Sequence, residues 1–285
     1  MVRQGMSQQM QRDVRARLKG RAFWFCTLLL LLGLAAGAAA ALFPQASEDG
    51  IYKKSGTTLN AGNASEGYVM VKRESSKEQR VRIAQGKQTF TYHLRKDGEY
   101  EVYPLQLGSG KYEIRVYEQV KGTQYSQVYS KAINAKMEDE NRAFLYPNQY
   151  VWYTEDSKVI PLAQEVCDGA ETDSEKLTAI YTYVTKHIAY DYIKMATVKT
   201  GYMPDIDDTI DTRTGICFDI ASLMAAMLRI EGVPAQIAIG SVGTMAHAWN
   251  RVYLDGKWSI VDATLVAMNY SKKMSASDYK LERYY

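Results

Sequence analysis

Cys217, His247 and Asp262 are the residues of this 285-residue chain whose types and order could do covalent chemistry. Cys217 stands in Thr214-Gly215-Ile216-Cys217-Phe218-Asp219, where a glycine turn runs into a helical pattern. His247 follows 30 residues later in His247-Ala248-Trp249-Asn250, and Asp262 another 15 residues on in Asp262-Ala263-Thr264. At the first turn of a helix, unpaired amides and the helix dipole stabilise a thiolate, and an adjacent imidazolium adds to that. The sulfur would attack as nucleophile, the imidazole would hand a proton to the leaving group, and the carboxylate would fix the imidazole tautomer. A lone cysteine after Gly-Ile ordinarily packs a core, and a lone histidine beside a tryptophan is ordinarily structural. The ordered set of three is what favours chemistry. One cysteine and one histidine without paired ligand spacing make no zinc site, so no metal is expected.

The elements that must bring these residues together are legible. Ala246–Leu254 and Lys257–Val261 read as strands joined at Asp255-Gly256, a strong hairpin signal. Centred there, the hairpin pairs Leu254 with Lys257, so Trp249 faces Asp262 and His247 faces Thr264. Residues two apart share a face, which puts Asp262 diagonal to His247 at roughly 7 Å between Cα atoms. Trp249, on that same face, is a candidate wall of a substrate cleft. A slip of one residue would destroy the arrangement. The cysteine helix runs to about Glu231, with Leu223, Met227 and Ile230 inward and Gly232 and Pro234 as its stop. Gln236–Ile239 reads as a further strand.

Upstream, Thr172-Asp173-Ser174-Glu175 is a capping box, and Leu177, Ile180, Tyr181, Val184 and Ile188 fall at helical spacing behind it. His187 at that helix's end and Asp191 just past it read as structural. A helix is expected from about Ser157 to Cys167. Before Met137 the period changes to two: Phe90, Tyr92 and Leu94 alternate with Thr91 and His93, and Tyr112, Ile114 and Val116 with Glu113 and Arg115. Recurrent turn signals about every ten residues predict a small β-sandwich over 68–137, after a polar linker at 43–67 and before a second domain at 138–285.

Residues 1–21 carry six basic groups against Asp13, and 22–42 carry no charge. That apolar run is just long enough to span a bilayer, and the flanking bases predict export of the chain beyond it. Its small residues, Ala35 to Ala41, suit a signal-peptidase cut, so a cleaved signal peptide and a retained membrane anchor both stay open. The remainder of the chain sums to about −2, which gives no electrostatic case for nucleic acid. Beyond Cys26 in the apolar run, only Cys167 and Cys217 are present, too few for a disulfide framework.

From about Asp173 to Thr264 the chain resembles the transglutaminase-like superfamily of papain-related cysteine enzymes, on four motifs. These are Gly215-Ile216-Cys217-Phe218-Asp219, Leu228-Arg229-Ile230-Glu231-Gly232-Val233-Pro234-Ala235, His247-Ala248-Trp249-Asn250, and Lys257-Trp258 leading to Asp262-Ala263-Thr264. The resemblance implies Cys217 as nucleophile, His247 as base and Asp262 as third member. It implies an α+β fold in which a cysteine-bearing helix packs on an antiparallel sheet. It also implies an upstream donor to the oxyanion, an indole in animal transglutaminases. No tryptophan lies between Trp152 and Cys217. Tyr190 and Tyr202 are the nearest aromatic donors, and Tyr202, in the loop approaching Cys217, is taken as the candidate. Calcium dependence is not implied, and no cofactor is expected. The expected activity is acyl transfer from amides of protein or peptide through a thioester, released to water (a protease or amidase, slightly favoured) or to a lysine amine (a crosslinker). The partners would be that substrate and, if 22–42 is uncleaved, a membrane. The β-domain would adhere or position. The rival expectation is a non-catalytic surface-binding protein that keeps the fold.

Overall fold

A computed structural model describes residues 41–285. The basic segment 1–21 and all but the last two residues of the apolar run 22–42 lie outside the described residues. Among the described residues no helix is long and apolar enough to cross a membrane.

The first half is built of strands: β1 (Ile51–Lys54), β2 (Thr57–Asn60), β3 (Tyr68–Lys72), β4 (Gln79–Gln85), β5 (Gln88–Leu94), β6 (Glu101–Pro104), β7 (Gly110–Lys121) and β8 (Gln124–Ala135). They form two antiparallel four-stranded sheets, ordered β1-β2-β3-β6 and β5-β4-β7-β8. Period-two alternation decides which face is buried. Phe90, Tyr92 and Leu94 point in while Thr89, Thr91 and His93 point out, and Tyr112, Ile114 and Val116 meet Leu59, Val69 and Val71 in a shared core.

The segment 43–67 is not a linker. It holds β1, β2 and a 3-10 turn at Ala64–Glu66. The hairpin turns at Ser55 and Gly56, both with positive φ, as a tight two-residue hairpin requires. Its composition hides it because β1 is wholly exposed and β2 buries polar side chains beside Leu59. Asn60, for one, donates to the Ser47 carbonyl at 2.6 Å, which satisfies it inside.

The second half begins with α1 (Val159–Val166) and α2 (Asp173–His187), the latter opened by the Thr172/Glu175 capping box. Then come β9 (Ala189–Tyr190), α3 (Tyr192–Thr197), α4 (Ile206–Thr212), β10 (Thr214–Gly215) and α5 (Cys217–Ile230). The chain ends through β11 (Ala235–Val242), β12 (Met245–Leu254), β13 (Lys257–Val261), the short α6 (Thr264–Ala267) and β14 (Tyr279–Tyr284). The antiparallel sheet runs β13-β12-β11-β14. Every residue of α5 from Asp219 to Ile230 is buried. Its Ala-, Leu- and Met-rich sequence suits a helix packed on all sides, with β11 and β12 on one and α1, α2 and α4 on the others. Together the two halves make a mixed α and β fold with antiparallel sheets.

Arg229 shows how tightly the second half is tied. It is 1% exposed and donates to the carbonyls of Tyr146, Ala235 and Tyr285. Burial lowers its pKa to about 10. Tyr285 stacks on Tyr150 at 3.8 Å and meets Phe90 and Tyr92 edge-on, joining the sandwich core to the sheet.

Candidate active site

Cys217 is the first residue of α5 and is partly exposed. The chain reaches it through β10, which pairs in parallel with β9, Gly215 opposite Tyr190. Gly215 must be glycine, since a Cβ there would lie 2.7 Å from the Asp219 Cβ. Asp219, with its side chain fully buried, fixes the helix tip. Its Oδ2 accepts from the Ile216 amide at 2.9 Å and from the Lys194 Nζ at 2.9 Å, and its Oδ1 accepts from the Tyr202 hydroxyl at 2.5 Å. A carboxylate at the third helical position closing back on the cap amide is the acidic half of a capping box, a signal present in the sequence. Lys194, also over the Tyr202 ring at 4.8 Å, cannot be found that way because it comes from α3 across a loop.

Tyr202, the expected oxyanion donor, is thus engaged elsewhere. Its hydroxyl is spent on Asp219, and burial, then that hydrogen bond, pushes its pKa up to about 12. A donor already committed to a buried carboxylate is not free for an oxyanion. Tyr190 is the aromatic at the nucleophile, paired with Gly215 across β9 and β10: burial and then the Cys217 side chain raise its pKa to about 12.

The other side of the site is the β12–β13 ribbon. The register pairs Leu254 with Lys257 and Asn250 with Val261, and Asp255 and Gly256 turn with positive φ. β13 stops at Val261, so the Trp249–Asp262 and His247–Thr264 positions lie beyond the ladder. Asp262 nevertheless reaches diagonally to His247, Oδ2 accepting from Nε2 at 2.8 Å. Asp262 Oδ1 accepts from the amides of Thr264 and Leu265 at 3.0 and 3.2 Å, the turn into α6, and Oδ2 also accepts from the Tyr279 hydroxyl at 3.0 Å. All lone-pair directions of the carboxylate are thereby used, which orients it.

Trp249 is not a cleft wall. It is 2% exposed, stacked nearly parallel to His247 at 6.2 Å and met edge-on by Tyr279 at 5.2 Å. It backs the imidazole with an apolar plate. Tyr279 covers it from β14, an element that sequence reasoning does not identify.

His247 is 4% exposed. Burial works against its imidazolium, but the Asp262 hydrogen bond and the neighbouring Cys217 side chain outweigh that and hold its pKa up to about 9. With Nε2 taken by Asp262, Nδ1 is the nitrogen left for the sulfur. This arrangement gathers a thiol, an imidazole and a carboxylate at the tip of α5.

Other candidates fall outside. His187 bonds the Tyr183 carbonyl through Nδ1 at 2.9 Å and stacks on that ring. Asp191 caps α3 by accepting from the Lys194 amide at 2.8 Å. Cys167 is a free, buried thiol whose pKa burial raises to about 11. Among the described residues, no group of three or more His, Cys, Asp or Glu is placed to hold a metal ion.

Residues 160–263 match the family model of the transglutaminase-like superfamily. Kyphoscoliosis peptidase of Homo sapiens is 29% identical over 146 residues, 47% of this chain and 22% of that protein. The Mus musculus protein of the same name is 30% identical over 115 residues, 36% and 17%. The chain thus spans about a fifth of the length of these curated relatives. Among solved structures, the periplasmic domain of TgpA from Pseudomonas aeruginosa is 17% identical with a TM-score of 0.36, over 79% of this chain and 77% of that one.

Proposed function

We propose that this chain, whose residues 160–263 belong to the transglutaminase-like superfamily, is a cysteine acyl-transfer enzyme acting on amide bonds of protein or peptide. The observation that carries the reading is the His247–Asp262 hydrogen bond at the end of the ribbon, with Cys217 bearing on the same imidazole from the tip of α5.

The Cys217 thiolate attacks the amide carbonyl and forms a C–S bond. The proton held on His247 passes to the amide nitrogen as the C–N bond breaks and the amine leaves. The thioester is then resolved by water, with His247 as base, or by a lysine amine. A pKa of about 9 supports the imidazolium as the form that meets substrate at neutral pH. Tyr190 replaces Tyr202 as the candidate side-chain donor to the oxyanion, because the β9–β10 pairing sets it opposite Gly215, two residues before the nucleophile. Tyr202 and Lys194 act through Asp219 as positioning residues.

Hydrolysis is the favoured outcome, in keeping with the two relatives, both called peptidases. Export, with the body at the cell surface or held there by 22–42, rests on the basic and apolar N-terminal pattern. The test is incubation with a glutamine peptide and a labelled amine, beside Cys217→Ala. Cleavage or ammonia release without label, lost in Cys217→Ala, is the expected result, and incorporation of label would move the assignment to crosslinking. Activity that survives Cys217→Ala would sink the enzyme reading altogether.

A further inference from the structure

The outer face of the β5-β4-β7-β8 sheet carries Arg80, Arg82, Lys111 and Arg115 against one carboxylate, Glu113. Residues 41–285 sum to about −2, so this face, at +3, leaves roughly −5 on the rest of the body. Charge is segregated onto one flat surface. Glu113 binds Arg115, and Glu78 at the rim is held by Lys96 at 2.7 Å. Among the described residues, Arg80, Arg82 and Lys111 have no carboxylate partner.

The placement works against the fold. Arg82 and Arg115 are direct register partners on neighbouring strands, where like charges repel. They are also held still. Arg82 lies over the Tyr117 ring at 4.6 Å and Arg80 over Tyr125 at 5.2 Å, and Arg80 donates to the His93 Nδ1 at 2.6 Å. Burial and then the Arg80 charge lower the His93 pKa, in keeping with an uncharged ring. Guanidinium groups fixed in advance lose little freedom when an anion arrives. Neighbouring positions stand roughly 5 Å apart across strands and roughly 7 Å along them, a row suited to a repeating charge. Beside the row, Ala84, Thr89, Lys111, Glu113, Arg115 and Ala132 line a depression of about 460 Å³, in which Glu113 is the carboxylate already bound by Arg115.

We propose that this face binds an anionic polysaccharide, a sugar chain bearing carboxylate, sulfate or phosphate groups. The exposed Thr91, Ser130 and Asn134 supply hydroxyl and amide partners for sugar hydroxyls between the cations. The Tyr117 and Tyr125 rings each lie under a guanidinium, so they offer no open platform for stacked bases, which weighs against single-stranded nucleic acid.

The experiment compares the full chain with Arg80→Ser/Arg82→Ser/Lys111→Ser and with a control of equal charge loss, Lys186→Ser/Lys199→Ser/Lys257→Ser. The basic residues of segment 1–21 are the same in all three proteins. Binding to heparin (sulfated) and polygalacturonate (carboxylated) is titrated against salt, with poly-glutamate and a single-stranded oligonucleotide as further probes and circular dichroism to check folding. At low salt the face variant should bind the glycans at least tenfold more weakly than the control does. Its slope of log affinity against log salt should be flatter than that of the control, since fewer counterions are released. Equal losses in both variants would reduce the effect to net charge and overturn the proposal. So would absence of glycan binding, or poly-glutamate or oligonucleotide bound as tightly as the glycans.

Discussion

Asp262 and Asp219 are both buried acids of one site, yet one is aimed at the imidazole and the other at the scaffold. Asp262, its side chain 6% exposed, shares its carboxylate between His247, Tyr279 and two backbone amides. Asp219, wholly buried, gives its oxygens to the Ile216 amide, Lys194 and Tyr202, and touches no reacting group. In the proposed mechanism the first is neutralised only through a proton that must move during reaction. The second is neutralised permanently by a lysine. A buried carboxylate held by a mobile proton is machinery, whereas one held by a fixed cation is framework.

The sharpest way to break this distinction is to remove each charge alone. Asp262→Asn should lower the rate by about 10³–10⁴-fold, because an amide neither stabilises the imidazolium nor enforces its tautomer. It should also cost stability near neutral pH, because the raised proton affinity of His247 goes with the carboxylate charge. Asp219→Asn should leave the rate far closer to that of the unaltered chain. It strands Lys194 and weakens the cap, costing about 1–3 kcal/mol of stability, with the rate falling within about tenfold. Steady-state rates beside urea unfolding of both variants decide it, and equal rate losses would end the distinction.

The same contrast explains what can be read from sequence. Asp262 is legible because a two-residue hairpin turn is a ruler: Asp255-Gly256 fixes the parity, and parity carries His247 and Asp262 to one face. The linker reading of 43–67 fails because β1 and β2 lack an apolar alternation, and their identity comes from the sheet they join. For Trp249, parity gives the correct face of the ribbon but not the role. The residue covering that face is Tyr279, from β14, an edge strand of mixed residues (Lys280 to Arg283) with no alternation to announce it. Tyr202 is near Cys217 along the chain, but its partner is fixed by where the 198–205 loop folds, which no local pattern encodes. Regular geometry is legible; contacts made across irregular segments are not.

The two carboxylates should also separate with pH. An imidazole in the unfolded chain titrates near 6.5, and in the fold His247 is held up to about 9. The folded chain therefore keeps an extra proton across that window. The stabilisation is whole below about pH 6.5 and is lost as pH rises through about 9, a decline of about 3 kcal/mol. Lys194 is raised above its ordinary 10.5, burial being outweighed by hydrogen bonds to Tyr202 and Asp219, so the helix tip stays neutralised throughout. Urea unfolding at pH 6 and pH 9.5 should show the decline in the unaltered chain and most of it gone in His247→Gln. A decline of equal size in both proteins would remove His247 as its source.

The smallest expected effect tests whether Tyr279 belongs with the machinery or the framework. Its hydroxyl donates to the same Asp262 oxygen that receives His247 Nε2, so the two donors compete for one atom. Burial and then the Asp262 charge raise the Tyr279 pKa, so it remains a donor at working pH. In Tyr279→Phe that oxygen is left to the imidazole alone, while the ring still covers Trp249. The imidazolium should be gripped harder, moving the alkaline limb of the rate profile upward by a fraction of a pH unit. The rate at neutral pH should fall only a few-fold, because a proton held more tightly is given up less readily to the leaving amine. A profile that stays in place while the melting temperature drops would assign Tyr279 to the framework with Asp219. A limb that moves at unchanged stability would place it with Asp262.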